Sequence, residues 1–243
     1  MSHKPLTGRV PPEAIRYTTL PRLDSDVLAR YAALEDLTGT VSDAMDILGL
    51  CGAIPASVLQ PTLASRRMIG QAVTVRNVAR RDSPTTAAAT GKSSMGEHEA
   101  YNQAEPGDVV VIEGLIGVSN MGGQSAAVAH RAGCAGAIID GSFRDPDSSR
   151  ERDFPIWSRG VTPITGKWRL QTVEINGSVR IGGVSVEAGD LVLADEAGVV
   201  FIPYAHAESV LLQAEKIDAG DNRQKADIAA GIDLATLAAT KYK

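Results

Sequence analysis

The stretch Gly117–Asp145, GVSNMGGQSAAVAHRAGCAGAIIDGSFRD, has the pattern of a loop, a helix and a strand. Its first residues are small, polar and rich in glycine, so the backbone can approach a ligand closely. Gln124–Ala132 is rich in alanine and precedes Gly133, which predicts a helix with a glycine after its last turn. Ala135–Ile139 is short and apolar, which predicts a buried strand.

The residues that follow this strand carry the first candidate chemistry. Asp140 and Gly141 are a common turn dipeptide, so we expect them to reverse the chain. Arg144 and Asp145 come just after the expected strand. Because ligands of open α/β sheets bind at the carboxyl ends of strands, we expect both side chains at a ligand-binding rim. A local ion pair at the strand end is the alternative interpretation of the same dipeptide.

Asp145 is the candidate metal ligand, and Arg144 is the candidate catalytic residue. Mg²⁺ and Mn²⁺ bind carboxylates, and such hard cations often keep several waters and take one or two protein carboxylates. An adjacent arginine can bind a substrate carboxylate through two hydrogen bonds and stabilise developing negative charge. Gly122 and Gly123 precede the expected helix, whose free N–H groups favour anions, although a plain tight turn has the same composition.

Composition narrows the class of protein. Of 243 residues, 44% are hydrophobic, which is sufficient for a substantial core. The net charge of -5 disfavours a non-specific nucleic-acid binder, because phosphate binding requires clustered lysine and arginine. No apolar run approaches the roughly 20 residues of a membrane span, and the N-terminal stretch lacks the apolar core of a signal peptide. We therefore expect a cytoplasmic protein with neither a nucleic-acid nor a membrane partner.

The order of apolar and polar segments predicts an α/β protein with a mixed sheet. Residues 1–22 contain four prolines and are expected to form an extended arm over the body or over a neighbouring subunit. Residues 23–204 are expected to form one α/β catalytic domain, and residues 205–243 a helical C-terminal extension. A helix is expected to begin with Thr40 as its cap, and Ser83–Gly96 is expected to be a mobile loop.

The C-terminal extension divides into two expected helices. The first should run from Ala205 to about Asp218. The charged segment DAGDNRQKAD should follow it as a connection, and a short terminal helix is expected around Leu234–Ala239.

Five segments, in this order, resemble the regulator of ribonuclease activity A family: TVSDAMDILGL, IGQAVTV, EPGDVVVIEG, GGQSAAVAHRAGCAGAIIDGSFRD and GDLVLADEAGVVFIP. The most specific element is Gly123, then twenty residues, then Arg144 and Asp145. The enzymatic members are the 4-hydroxy-4-methyl-2-oxoglutarate and 4-carboxy-4-hydroxy-2-oxoadipate aldolases. The resemblance implies a compact mixed-sheet αββα fold, similar to a swivelling domain, with helical extensions at both ends and assembly as a homotrimer or homohexamer.

For function, the resemblance implies a metal-dependent aldolase that cleaves a 4-hydroxy-2-oxo dicarboxylic acid to pyruvate. Mg²⁺ or Mn²⁺ on Asp145 would chelate the 2-oxo acid, and Arg144 would stabilise the pyruvate enolate. The substrate carboxylate would be held by backbone N–H groups of four residues: Gly122, Gly123, Gln124 and Ser125. Oxaloacetate decarboxylation is an implied side activity, because it passes through the same enolate.

The chain departs from the aldolase pattern at one position. The pattern has an acid three residues after the aspartate, where this chain has Ser148, and the nearest acid is Asp147. In the aldolases a further acid comes from a neighbouring subunit, for which Asp218, Asp221 and Glu215 are the candidates here. Two alternatives therefore stay open: a non-enzymatic protein-binding regulator, and a lyase acting on another 2-oxo acid or sugar acid.

Overall fold

The computed structural model describes residues 4–242 and is a mixed α/β structure; residues 1–3 of the expected arm lie outside the described residues. The helices are α1 (Ser25–Ala33), α2 (Leu37–Ile47), α3 (Pro84–Ala89), α4 (Glu97–Gln103), α5 (Gly123–Arg131), α6 (Pro146–Glu151), α7 (Ala207–Ala229) and α8 (Leu234–Ala239). The strands are β1 (Ala53–Pro55), β2 (Gln60–Pro61), β3 (Met68–Ala79), β4 (Val109–Glu113), β5 (Gly136–Phe143), β6 (Ile156–Val161), β7 (Leu170–Ile175), β8 (Val179–Ile181), β9 (Val184–Val186), β10 (Leu191–Ala194) and β11 (Gly198–Ile202). No helix within this range is long and apolar enough to cross a membrane.

Over residues 4–242, nine strands form one sheet in the order β1-β11-β10-β3-β4-β5-β6-β2, with β7 paired to β3. Strands β3, β4, β5 and β6 are parallel, whereas β1, β2, β7, β10 and β11 pair antiparallel with their neighbours. The expected α/β class with a mixed sheet is confirmed. Because β4 and β5 are parallel neighbours, the segments that follow them meet at one edge of the sheet.

The expected turn at Asp140 and Gly141 is wrong, because both residues lie inside β5. β4 pairs with this strand up to Asp140, and β6 pairs with it up to Phe143, with a shift in register between Ile139 and Ser142. The Asp140 carboxylate accepts hydrogen bonds from Arg159 Nε at 2.6 Å and from the Gly182 backbone N–H at 2.7 Å. These contacts between distant residues override the local turn preference of the dipeptide.

Two helix starts also differ from expectation. α2 begins at Leu37 instead of at Thr40, and Thr38 donates from its backbone and its hydroxyl to Asp195, at 3.0 and 2.7 Å. The segment Ser83–Gly96 is not a plain loop, because it contains α3, whose first turn is capped by the Ser83 hydroxyl.

The charged segment near the C-terminus is helical and not a connection. α7 continues through it to Ala229, and α8 then follows as expected. Ion pairs join α7 to the N-terminal part of the chain. Glu215, just before the charged segment, binds Arg30 of α1 through two hydrogen bonds of 2.8 and 2.7 Å. Lys225, inside the segment, lies 2.9 Å from Glu35 between α1 and α2. The α7 face with Ile217 packs in the core formed by α1, α2, β10 and β11.

The described part of the N-terminal arm packs against the body of its own chain. Val10, Ala14 and Leu20 are buried in the core formed by one face of β3, β4 and β5 with α4 and α5. The arm is extended except for a short 3-10 turn at Pro12–Ala14. The arm therefore lies next to α4, at the edge of the sheet that carries the candidate site.

Candidate functional site

Asp145 is fixed through one carboxylate oxygen, while the other oxygen stays open. Oδ2 accepts hydrogen bonds from the backbone N–H of Gly123 at 2.9 Å and from Arg144 Nε at 3.2 Å. Within residues 4–242, Oδ1 accepts no hydrogen bond, and the side chain is 44% exposed. The backbone of Asp145 is left-handed, with φ 63° and ψ 54°, a conformation in which aspartate is enriched among non-glycine residues.

The start of α5 lies against this carboxylate, and of its two glycines only Gly123 leaves no room for a side chain. A Cβ atom at Gly122 would lie 3.4 Å from Asp145 Oδ2 and 3.5 Å from Arg144 Nη2. A Cβ atom at Gly123 would lie only 2.7 Å from the hydroxyl of Ser148, a distance that real Cβ atoms do not tolerate. Gly123 is therefore required for the close contact of α5 with α6, and Ser148 lies at the site although it is not an acid.

At the start of α5, one backbone N–H group is already bound and two are available to a ligand. The Gly123 N–H is already bound to Asp145. The N–H groups of Gln124 and Ser125 belong to the first helical turn, where no carbonyl of the same helix is available to them. Gln124 is exposed and Ser125 is buried. These two N–H groups are thus the donors of the expected set that are placed to receive an anion.

A cavity of about 410 Å³, which we call the rim cavity, opens beside these groups. It brings together four of the residues selected from the sequence: Gly122, Gln124, Ser125 and Arg144. It is also lined by residues that the sequence analysis did not select, which include Arg9, Glu97, His98, Ser119, Thr165 and Lys167. The site is therefore built from the arm, α4, α5 and two loops of the sheet edge.

The rim cavity carries more positive than negative charge. Arg9, Arg144 and Lys167 line it, whereas Glu97 is its one carboxylate among the lining residues. The Arg9 guanidinium forms no hydrogen bond or ion pair with any described residue. Lys167 Nζ lies 4.4 Å from the ring centre of Trp168. This arrangement favours an anion with more than one negative charge.

Three other acids predicted from the sequence lie outside the rim cavity of their own chain. Asp147 is largely exposed and pairs with Arg150 at 2.9 Å. Asp218 accepts from the Glu35 backbone N–H at 3.0 Å. Asp218 and Asp221 both line a separate cavity of about 130 Å³. A contribution of these acids from a neighbouring subunit stays a prediction.

The arm that carries Arg9 is held by a buried carboxylate. Glu99 is fully buried, and its Oε2 accepts from the Thr7 backbone N–H at 2.7 Å and from the Thr7 hydroxyl. Its other oxygen accepts from Asn102 and Gln103, each at 3.2 Å. Burial alone would raise the pKa of Glu99, but these hydrogen bonds outweigh it and hold the pKa below its ordinary value.

We expect the arm to loosen in acid. Because the folded pKa of Glu99 is depressed, its carboxylate stabilises the fold above the unfolded value of about 4.3, and this contribution is lost as the pH falls through the folded pKa. Hydrogen-exchange protection factors around Thr7 should therefore fall between about pH 5 and about pH 3. In Glu99→Gln the arm should show little further pH dependence. Equal protection at both pH values in the unmodified chain would contradict this assignment.

Comparison with known proteins identifies a family for the greater part of the chain. Residues 38–201 match the RraA-like family, described as "Aldolase/RraA". The chain is 33% identical over 190 residues to a protein of Halalkalibacterium halodurans named "Putative 4-hydroxy-4-methyl-2-oxoglutarate aldolase", covering 77% of this chain and 82% of that protein.

Solved structures show the same fold. An uncharacterized protein from Pseudomonas syringae is similar with a TM-score of 0.78 at 25% identity, over 92% of this chain and 97% of that one. Streptomyces coelicolor RraAS2, titled an unusual member of the RNase ES inhibitor RraA protein family, is similar with a TM-score of 0.66 at 23% identity, over 88% and 100%. The resemblance drawn from the sequence motifs is confirmed, and the chain belongs to the RraA-like family of aldolases and RraA proteins.

Proposed function

We propose that this chain is a divalent-metal-dependent carbon–carbon lyase that cleaves a 4-hydroxy-2-oxo dicarboxylic acid and releases pyruvate. The observation that carries the proposal is Asp145, with one carboxylate oxygen fixed and the other open. Asp145 is not itself a lining residue of the rim cavity, but its neighbour Arg144 is. Membership of a family that contains aldolases supports the reaction class. The additional positive charges of Arg9 and Lys167 support a substrate with a second carboxylate.

The residues present fit Mg²⁺ or Mn²⁺. Residues 4–242 contain no group of three or more His, Cys, Asp or Glu side chains arranged to hold a metal ion. The open oxygen of Asp145 would be the protein ligand and waters or substrate would complete the set, which suits hard cations that keep much of their hydration. When bound, the ion would act as a Lewis acid on the 2-oxo group.

The chain itself would bind the substrate and stabilise the charge that develops on it. The N–H groups of Gln124 and Ser125 would hold the carboxylate next to the 2-oxo group, and Gly122 and Gly123 would allow the close approach. Arg144 would stabilise the pyruvate enolate that forms when the carbon–carbon bond breaks. Oxaloacetate decarboxylation would occur as a side reaction, because loss of CO₂ leaves the same enolate.

Arg144→Lys is expected to lower kcat/KM by at least about tenfold, which corresponds to about 1.4 kcal/mol. The planar guanidinium can form two hydrogen bonds to one carboxylate, whereas the lysine ammonium is a point charge on a flexible stem. Steady-state kinetics should be compared with Arg150→Lys, a change on the exposed side of α6 that should have little effect. A change of less than about twofold in Arg144→Lys would remove Arg144 from the site.

A screen of 2-oxo acids tests the function directly. The purified chain is incubated with each acid and Mg²⁺ or Mn²⁺, and pyruvate is detected with a coupled dehydrogenase. We expect pyruvate from 4-hydroxy-2-oxo dicarboxylic acids and from oxaloacetate, and no pyruvate after a chelator removes the metal. Absence of metal-dependent pyruvate release from every acid would overturn the proposal.

The second candidate is a non-enzymatic regulator that binds another protein. Ser148 favours it, because the position lies against Gly123 and carries no acid. The family description includes RraA proteins as well as aldolases.

A lyase acting on another 2-oxo acid or a sugar acid would instead give pyruvate or a related product in the same screen. For either enzyme we propose a homotrimer or homohexamer, in which the acids of α7 could face a neighbouring rim cavity.

A further inference from the structure

A chain of three hydrogen-bonded side chains leads from the core into the rim cavity. The Tyr101 hydroxyl lies 2.9 Å from the Ser125 hydroxyl, and Ser125 Oγ donates to Glu97 Oε1 at 3.0 Å. Since the serine proton is directed to Glu97, the tyrosine must be the donor of the first bond. Burial raises the pKa of Tyr101 well above its ordinary value, so this hydroxyl keeps its proton. The chain of donors therefore supports a Glu97 carboxylate that accepts.

Glu97 differs from other buried acids of the described chain. Glu174 and Asp108 each pair with an arginine, at 2.6 and 2.5 Å. Glu99 and Asp190 also lack a cation among the described residues, but each accepts hydrogen bonds from at least two donors. Glu97 is only 6% exposed, yet within residues 4–242 its one hydrogen-bond partner is a neutral hydroxyl. A buried carboxylate without a cation is costly, because the loss of hydration is not compensated. A carboxylate that lines a cavity and has one hydrogen-bond partner is a candidate for chemistry on geometric grounds.

Glu97 also lies in the cavity that is proposed to bind the substrate. It lines the rim cavity together with Arg144 and Gly122, and Oε2 accepts no hydrogen bond from a described residue. Glu97 supplies a carboxylate to the same cavity from α4 of the same chain.

We infer that Glu97 is the catalytic base that takes the proton from the 4-hydroxyl of the substrate; this inference rests on the proposed function. The hydroxyl proton moves to Glu97 Oε2, C4 becomes a carbonyl carbon, and the C3–C4 bond breaks. Its electron pair stays on the pyruvate fragment as an enolate, next to Arg144. The protonated Glu97 then returns the proton to C3, which gives pyruvate and regenerates the carboxylate. The step requires no further reactant.

Glu97→Gln, assayed with Mg²⁺, separates this role from a structural one. Cleavage of 4-hydroxy-4-methyl-2-oxoglutarate needs a base at the hydroxyl, whereas decarboxylation of oxaloacetate has no hydroxyl proton to remove. We expect kcat for cleavage to fall by at least about 100-fold, as is typical for loss of a general base. The kcat for decarboxylation should stay within about threefold of the unmodified chain. Glu105→Gln, at an exposed acid just after the same helix, should leave both reactions unchanged.

Binding of oxalate, a stable analogue of the pyruvate enolate, provides a readout that does not depend on turnover. In titration calorimetry with Mg²⁺, Glu97→Gln should bind oxalate within about threefold of the unmodified chain, because the groups that hold the enolate are intact. If Glu97→Gln does not fold, Ser125→Ala takes its place. Removing that hydroxyl should reduce cleavage more than decarboxylation, since it removes the donor that orients Glu97.

Any other outcome of these experiments contradicts either the role of Glu97 or the proposed function. Equal loss of both reactions, or loss of oxalate binding, would show that Glu97 holds the site together and would overturn the inference. Unchanged cleavage in Glu97→Gln would overturn it as well, as would an unmodified chain that decarboxylates oxaloacetate and cleaves no hydroxy acid. An unmodified chain that releases no pyruvate from either substrate would refute the proposed function itself.

Discussion

Asp145→Ala is expected to abolish metal-dependent turnover, with a loss of at least about 1,000-fold in kcat/KM, or about 4 kcal/mol. The reason is that the open oxygen of Asp145 is the proposed protein ligand, and residues 4–242 provide no cluster of acids or imidazoles that could replace it. Binding of Mn²⁺, followed by electron paramagnetic resonance, should be lost together with activity. The variant should still fold, because the side chain is 44% exposed.

Asp147→Ala is the matched control for this change. It removes a carboxylate two residues further along, whose partner is Arg150 on the outside of α6. Its activity and Mn²⁺ binding should be close to those of the unmodified chain. If Asp145→Ala kept near-native activity at limiting Mg²⁺, Asp145 could not be the ligand, and the proposed site would have to be abandoned.

Asn120→Leu is expected to lower the free energy of unfolding by about 3 kcal/mol and to inactivate the protein as well. Asn120 is fully buried, and its Nδ2 donates to the carbonyls of Leu115, Val118 and Ser142 at 2.9, 3.1 and 3.0 Å. Leucine has a similar volume but removes this donor; the carbonyls of Leu115 and Ser142 keep a backbone donor, whereas that of Val118 has none among the described residues. Leu115 and Val118 belong to the loop that leads to Gly122, so disorder of this loop would displace the start of α5.

Urea denaturation measures the stability change in Asn120→Leu, and the pyruvate assay measures the loss of activity. The control is Asn222→Ala, which removes one exposed hydrogen bond to Asp218 at 3.1 Å and should cost less than about 0.5 kcal/mol. If Asn120→Leu were as stable as the unmodified chain, the loop would not depend on this side chain. Space for the asparagine comes from Gly114 and Gly141, where a Cβ would collide with it.

The sequence predicted the part of the site that lies within one continuous stretch. Gly123 and the Arg144–Asp145 pair are separated by one helix and one strand, so their meeting at the sheet edge follows from local patterns alone. The dipeptide Asp140-Gly141 was misread because its turn preference is local, whereas its partners Arg159 and Gly182 are distant in sequence. The helix start at Leu37 was missed for a similar reason, since Asp195 binds Thr38 from far along the chain.

The site residues that the sequence did not reveal depend on contacts between residues that are far apart in the chain. Glu97 is 28 residues from Ser125, and Arg9 reaches the rim cavity only because Thr7 binds Glu99, 92 residues away. Neither position has a motif, and a glutamate in the first turn of a helix is ordinary. Both Glu97 and Glu99 are buried at the start of α4, and the local sequence predicts neither this burial nor their partners.

The way in which the arm is attached has a consequence for how this protein can diverge. The family match covers residues 38–201, so the arm with Thr7 and Arg9 lies outside the matched stretch, although Glu99, which holds it, lies inside. Natural variation can therefore exchange the arm without altering Asp145 or the start of α5. Under the proposed function, relatives with different arms would keep the same bond-breaking step while accepting acids of different length and charge. Swapping arms between relatives would be a direct way to look for such inherited differences in substrate range.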